Sequence, residues 1–239
     1  MRILVVTDNV QIYKEFKRVC EEKYQADRIF VFKCSPSSVE LFSEHKNVGV
    51  VDVKLEYNEI IAEYDLVISC HCKKIFPKKL VNNVRCINIH PGLNPYNRGW
   101  YPQVFAINNK LPHGATIHEM DEEIDHGNII AQRIVDLLCY DTSLTAYNRV
   151  VSTEISLFEE NFDIILSGNY IAEKMITEGN YNSIQDFRKL CLLNLDAQGT
   201  LREHIDLLRS LSHGGYKNAF YLTEDKEKIF VNLSLKKND

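Results

Sequence analysis

The stretch CINIHPGLNPYNRGW (86–100) carries Asn88 and His90 two residues apart in an apolar run that stops at Pro91-Gly92. On a strand this spacing turns both side chains to one face. A carboxamide can donate to a developing oxyanion, and an imidazole can donate to one or take a proton. Downstream, GATIHEMDEEIDHG (114–127) repeats the device: Thr116 and His118 share a face, and Asp121 and Asp125 follow in an acidic turn. An amide, a cationic imidazole and a carboxylate converging at one mouth can perform acyl transfer. Asn-x-His alone is equally a capped strand end with a hydrogen-bonded histidine, so the argument rests on the two segments meeting.

The elements that must bring them together are legible in the hydrophobic pattern. RILVV (2–6), DRIFVFK (27–33), DLVIS (65–69) and CINI (86–89) read as strands, the last two continuously apolar, as buried parallel strands are. VQIYKEFKRVCEEK (10–23) spaces Ile12, Phe16, Val19 and Cys20 as a helix does, and a further helix is expected near Ser38–Glu44. YPQVFAINN (101–109) reads as a helix, and 114–121 and 128–137 as strands joined by the EEIDHG turn. Residues 144–167 read as a long amphipathic helix closed by Gly168. The fold expected is α/β, with a mostly parallel Rossmann-like sheet over residues 1–175. Residues 176–239 change style, with two helices (one starting at Ser183, three residues before Asp186) and a β-hairpin turning at EDKE. They are expected to form a small α+β unit. Open α/β sheets bind ligands beyond the carboxyl ends of their strands, where Asn88 and His90 would stand.

The chain has 239 residues, 45% of them hydrophobic, and a net charge of −5. That is a globular composition, and its field does not favour nucleic acid. No apolar run approaches the roughly 20 residues a membrane span needs. No secretory leader pattern opens the chain, and its seven cysteines are odd in number and irregularly spaced. Reduced thiols in a cytoplasmic protein are therefore expected. Cys70-His71-Cys72 has ligand-type residues, but no second Cys/His pair at zinc spacing follows, so no metal is expected.

The two site segments, read in order, resemble the 10-formyltetrahydrofolate-dependent formyltransferases. That family's pattern is met by Asn88, His90, Pro91, Leu93, Pro95, Arg98, Gly99, Gly114, Thr116, His118, Asp121, Asp125 and Gly127. The resemblance covers about residues 1–175. It implies catalytic roles for Asn88, His90 and Asp125, and a 10-formyltetrahydrofolate site at Ile75, Phe76, Asp121, Glu122 and Glu123. It further implies a nucleotide-sugar site expected at Asn9, Lys73, Lys74, Tyr96, Arg98, Trp100, Tyr216 and Asn218. Asn94 stands where many members have leucine, and NPYNRGW looks most like the members acting on dTDP-linked amino sugars. Among these, enzymes of dTDP-4-amino-4,6-dideoxyglucose come first and those of 3-amino sugars next, serving O-antigen or related glycans. TDNV (7–10) departs from the Gly-rich phosphate loop of the purine-pathway members, and Ser212-His213-Gly214-Gly215 replaces a proline-rich step of the sugar enzymes. A deformylase, releasing formate with no acceptor, and a non-catalytic nucleotide-sugar binding module are the competing readings. The expected partners are the two small molecules, with no nucleic acid or membrane. A homodimer through the C-terminal hairpin is one arrangement, the hairpin covering its own domain the other.

Overall fold

The computed structural model describes residues 1–23 and 26–237. The chain opens with β1 (Arg2–Thr7), α1 (Val10–Glu22) and β2 (Ile29–Cys34), then a 3₁₀ helix (Pro36–Phe42), β3 (Gly49–Val50) and α2 (Tyr57–Glu63). Then come β4 (Leu66–Cys70), α3 (Lys78–Val81), β5 (Arg85–His90) and the two-residue β6 (Arg98–Gly99). They are followed by α4 (Pro102–Asn109), β7 (Gly114–Glu119), β8 (Ile129–Ile134) and α5 (Ser143–Ser167). The C-terminal part holds β9 (Tyr181–Asn182), α6 (Ile184–Cys191), α7 (Leu201–Leu211), β10 (Phe220–Leu222) and β11 (Lys228–Phe230).

Seven strands form one sheet in the order β3-β2-β1-β4-β5-β7-β8. The first five run parallel, and β7 and β8 add antiparallel at the β5 edge. The α/β expectation and the mostly parallel sheet are met. β1 and β4 are buried over nearly their whole length because helices cover both faces. On one face α1 and α5 pack together, with Phe16 stacked on Phe158 at 4.0 Å between ring centroids. Truncating Phe158 to alanine there would cost about 3–5 kcal/mol. On the other face Leu4, Val6, Val67 and Cys86 pack with Ile60, Tyr64, Phe76 and Leu80. α5 ends as its sequence requires: Gly168 sits at φ 74°, left-handed backbone that costs glycine nothing.

The helix expected near Ser38–Glu44 is instead a 3₁₀ turn begun by Pro36. The strand over 128–137 is shorter than its apolar run, Ile129–Ile134. The C-terminal helices and antiparallel hairpin are present, and Ser183 and Asp186 form a reciprocal cap at the start of α6. Val104 of α4 packs with Cys191, Leu211 and Ala219, and β9 pairs in parallel with β6. The C-terminal elements therefore brace the loop that leaves the Asn88–His90 strand. Among the described residues no helix is long and apolar enough to cross a membrane.

Candidate active site

β5 and β7 are antiparallel, with Asn88 directly opposite His118 and His90 opposite Thr116. This register carries the two sequence segments to one place. The Asn88 amide Nδ2 donates to Asp125 Oδ1 at 3.0 Å and lies 3.3 Å from His118 Nε2. His118 Nδ1 is 2.6 Å from the Glu119 carbonyl, which can only accept, so Nδ1 donates there, and Nε2 also lies 3.6 Å from Asp125 Oδ1. His90 Nδ1 is 3.5 Å from Asp125 Oδ2, and His90 Nε2 is buried with no hydrogen-bond partner among the described residues.

Asp125 sits in left-handed backbone at φ 51°, a sparsely populated conformation that needs support. The support comes from neighbouring segments. Gly99 N–H donates to Asp125 Oδ2 at 3.0 Å, and Asn94 Nδ2 donates to the Asp125 carbonyl at 2.8 Å. Thr116 Oγ1 accepts from Asn94 N–H and donates to the Gly92 carbonyl, locking the loop after β5 to β7. Asn94 therefore has a structural reason to replace leucine. A Cβ at Gly92 would fall inside van der Waals contact of His90 Nε2, so only glycine leaves the imidazole its place.

Burial pushes His90 down to about 4, with Asp125 pulling the other way. The cationic imidazole expected from sequence is therefore neutral at neutral pH. Burial alone would raise Asp125, but the imidazoles of His90 and His118 and the Gly99 N–H outweigh it and hold the carboxyl well below its usual range. A neutral imidazole beside a carboxylate is the state that can take a proton.

These groups open on a cavity of about 810 Å³, which runs along the strand tips from Asp8–Gln11 to the 121–125 turn. Ile75, Phe76, Asp121, Glu122 and Glu123 line one part of it, together with Met120 and Ile124. This part of the wall is apolar, with carboxylates at its rim. Asn9, Lys73, Lys74, Trp100, Tyr216 and Asn218 also line it. Asn9 is engaged within the protein: Oδ1 caps α1, and Nδ2 donates to the Tyr147 hydroxyl at 2.7 Å. Asn218 Nδ2 donates to the Leu211 carbonyl, and Lys74 lies 3.7 Å from Asp52. The exposed Lys73 ammonium carries no ion pair among the described residues.

Two expected contacts are corrected. Tyr96 and Arg98 are not on the cavity wall. Tyr96 is half-buried in the loop, its N–H bonded to the Leu93 carbonyl. Arg98 is buried and faces the protein. Its guanidinium donates to the Ile124 carbonyl at 3.3 Å and to Glu178 at 2.5 Å, tying the 121–125 turn to the C-terminal segment.

Sequence reading gave no role to a polar group at the other end of the cavity. Glu154, fully buried on α5, lies 2.7 Å from His71 Nε2, and His71 Nδ1 is 3.2 Å from the Tyr147 hydroxyl. The signal was present as one acid on the apolar stripe Val150, Val151, Leu157 and Phe158. Cys70, His71 and Glu154 are close enough for one metal, yet the His71 and Glu154 ligand atoms are hydrogen-bonded to each other. Ser143 and His213 join the wall nearby, Oγ to Nδ1 at 3.0 Å.

Comparison with known proteins agrees with this geometry. Residues 4–161 match the formyl transferase family, and residues 186–237 match the N-formyltransferase dimerization C-terminal domain. A dTDP-4-amino-4,6-dideoxyglucose formyltransferase of Mycobacterium tuberculosis is 45% identical over 184 residues, 77% of this chain and 79% of that one. A 4-N formyltransferase from Francisella tularensis superposes with a TM-score of 0.95 at 47% identity, covering 99% of this chain and 98% of that one. A sugar N-formyltransferase from Shewanella gives 0.95 at 45% identity, covering 100% and 99%. With the Asn88–His90–Asp125 cluster in place and matches over both parts of its length, the chain belongs to the formyltransferase family, among its N-formyltransferases.

Proposed function

We propose that the protein transfers the formyl group of 10-formyltetrahydrofolate to the amine of a dTDP-linked amino-dideoxy sugar, with dTDP-4-amino-4,6-dideoxyglucose as acceptor. The observation that carries this is the Asn88–His90–Asp125 cluster at the mouth of a cavity of about 810 Å³. The names of the similar Mycobacterium and Francisella enzymes support the 4-amino sugar over the 3-amino isomer.

In this reading Ile75, Phe76 and the 121–123 carboxylates hold the folate, which supplies an activated formyl carbon. Lys73, Lys74, Trp100, Tyr216 and Asn218 line the sugar-nucleotide side. The sugar amine attacks the formyl carbon, forming a C–N bond. The oxyanion that develops takes an Asn88 amide hydrogen, displacing one of that amide's internal bonds. The His90–Asp125 couple accepts the proton lost by the amine. As the bond from the formyl carbon to N10 breaks, that proton goes to the departing nitrogen. The protein is read as two units, 1–175 for catalysis and 176–239, the latter pairing two copies into a homodimer. The setting is a cytoplasmic pathway that supplies formylated sugar to O-antigen or a related surface glycan.

The test is a mass-spectrometric assay of purified protein with 10-formyltetrahydrofolate and dTDP-4-amino-4,6-dideoxyglucose, the 3-amino isomer and a UDP-linked amino sugar in parallel. The expected result is a one-formyl mass gain on the 4-amino sugar. Free formate with every acceptor unchanged would replace the transferase by a hydrolase.

A further inference from the structure

Four asparagines that take no part in the chemistry above meet behind the loop that leaves β5. We propose that Asn97 is a positioning residue for Asp125: with Asn109, Asn180 and Asn182 it clamps that loop so that the Gly99 N–H is presented to the Asp125 carboxylate. This rests on the reading of Asp125 in the proton-accepting couple and deepens it.

The first argument is the network. Asn97 is buried, and its Oδ1 accepts from Nδ2 of Asn109 at 2.6 Å, of Asn180 at 2.9 Å and of Asn182 at 3.3 Å. The Asn97 N–H donates to Asn180 Oδ1 at 2.9 Å, so the contact between these two residues runs both ways. An amide both donates and accepts, so such a set can be buried with no counter-ion. Asn97 holds φ 52°, left-handed backbone that asparagine tolerates. None of the four asparagines lines the cavity, so the set offers no contact to a ligand there. What it joins is three segments far apart in sequence: the loop after β5, the end of α4 and the stretch around β9.

The second argument is direction. In a parallel pair a strand sends alternate N–H groups to its neighbour, and those between point the other way. Arg98 N–H donates to the Asn180 carbonyl at 3.0 Å and Trp100 N–H to the Asn182 carbonyl at 2.9 Å. The N–H left between them is that of Gly99, and it donates to Asp125 Oδ2 at 3.0 Å. This is the same oxygen that lies 3.5 Å from His90 Nδ1. The pairing of β6 with β9 thus decides where the Gly99 N–H points, and the asparagine set fixes that pairing. Asn180 N–H closes the other end on the Pro95 carbonyl at 3.2 Å. Asp125 stands in left-handed backbone that needs outside support, so a loop that drifted would free its carboxylate to turn from His90. Asn180 and Asn182 therefore act on the reacting groups through a backbone hydrogen bond, without touching substrate.

The test sets Asn180→Ala and Asn97→Gly, the glycine accepting the left-handed backbone, beside wild type and Asp125→Asn. Formyl transfer from 10-formyltetrahydrofolate to dTDP-4-amino-4,6-dideoxyglucose gives kcat and KM. The Gly99 amide is read by NMR on protein carrying carbonyl-labelled arginine and nitrogen-labelled glycine, since Arg98-Gly99 is the only Arg-Gly step in the sequence. Both asparagine variants should lower kcat about tenfold to a hundredfold, as misplacing a reacting group does, with both KM values held within a few-fold. The Gly99 amide proton should move upfield in both, and in Asp125→Asn, because a carboxylate acceptor makes the stronger hydrogen bond. If Asn180→Ala does not fold, Asn97→Gly carries the test. Wild-type kcat in the asparagine variants, or a lowered kcat with the Gly99 resonance unmoved, overturns this assignment alone. A loss confined to KM gives the loop to substrate contact through Trp100 and overturns it as well. Wild-type kcat in Asp125→Asn overturns the reading of Asp125, and this assignment with it.

Discussion

Asn88 and Asp125 are 37 residues apart in the chain, and the amide of one donates to the carboxylate of the other at 3.0 Å. β5 and β7 build that contact. Their antiparallel register sets His118 opposite Asn88, and the turn after β7 returns Asp125 over both. Asn88→Ala removes the amide that the oxyanion is proposed to take. Its kcat should fall about 10²–10³, as loss of one oxyanion donor does, with the folded state kept. A rate within a few-fold of wild type in a steady-state assay would remove Asn88 from the chemistry.

Gly92 controls His90 without touching substrate. An added methyl meets the imidazole at Nε2 and Cδ2, so Gly92→Ala must rotate or displace the ring. Misplacing a reacting group by about 1 Å costs on the order of 10²-fold, so kcat should fall tenfold to a hundredfold. Thermal unfolding run beside the kinetics separates this from general destabilisation. Unchanged kcat in a stable variant would mean that the position of His90 does not matter.

Arg98 separates a structural role from the expected substrate contact. The buried guanidinium links the Ile124 carbonyl to Glu178. Arg98→Met should destabilise the protein by about 1–3 kcal/mol and raise KM for the folate by loosening the 121–125 turn. Affinity for thymidine diphosphate should stay as in wild type. A selective loss of nucleotide affinity would return Arg98 to the substrate site.

His90 and His113 are both pushed by burial from 6.5 down to about 4. A lowered histidine lets the unfolded chain bind the extra proton first, so it removes stability as pH falls from 6.5 to about 4. Each contributes a slope of about 1.4 kcal/mol per pH unit. Raised Glu154 acts in the opposite sense and offsets part of this, whereas lowered Asp125 adds its own loss at still lower pH. Urea unfolding at pH 7, 6, 5 and 4 should show stability falling across that window. His113→Leu should flatten the fall by about one proton. Equal slopes in variant and wild type would contradict the neutral, buried state of His113.

The reach of the sequence can be judged from particular residues. Asn88, His90 and Asp125 could be placed together because strand periodicity sets side-chain faces, and the acidic turn closes on the same tip. β1, β4 and β5 were legible as short apolar runs, and the end of α5 as a glycine. Arg98 was misplaced because side-chain direction in an irregular loop depends on partners far along the chain, here Glu178. His71 and Glu154 are 83 residues apart and join two elements that periodicity describes only separately. Glu154 looked like one charged residue in a long helix until the face it occupies was known to be the buried one. The protonation state of His90 was likewise hidden, since it depends on burial by neighbours that sequence does not reveal.

The most direct measurement is a crystal structure with tetrahydrofolate and dTDP-4-amino-4,6-dideoxyglucose bound together, read for the position of the sugar amine. The account predicts the amine nitrogen within about 3–4 Å of the Asn88–His90–Asp125 cluster, with the folate N10 on its far side. An amine held elsewhere in the cavity, with that cluster facing only water or protein, would contradict it.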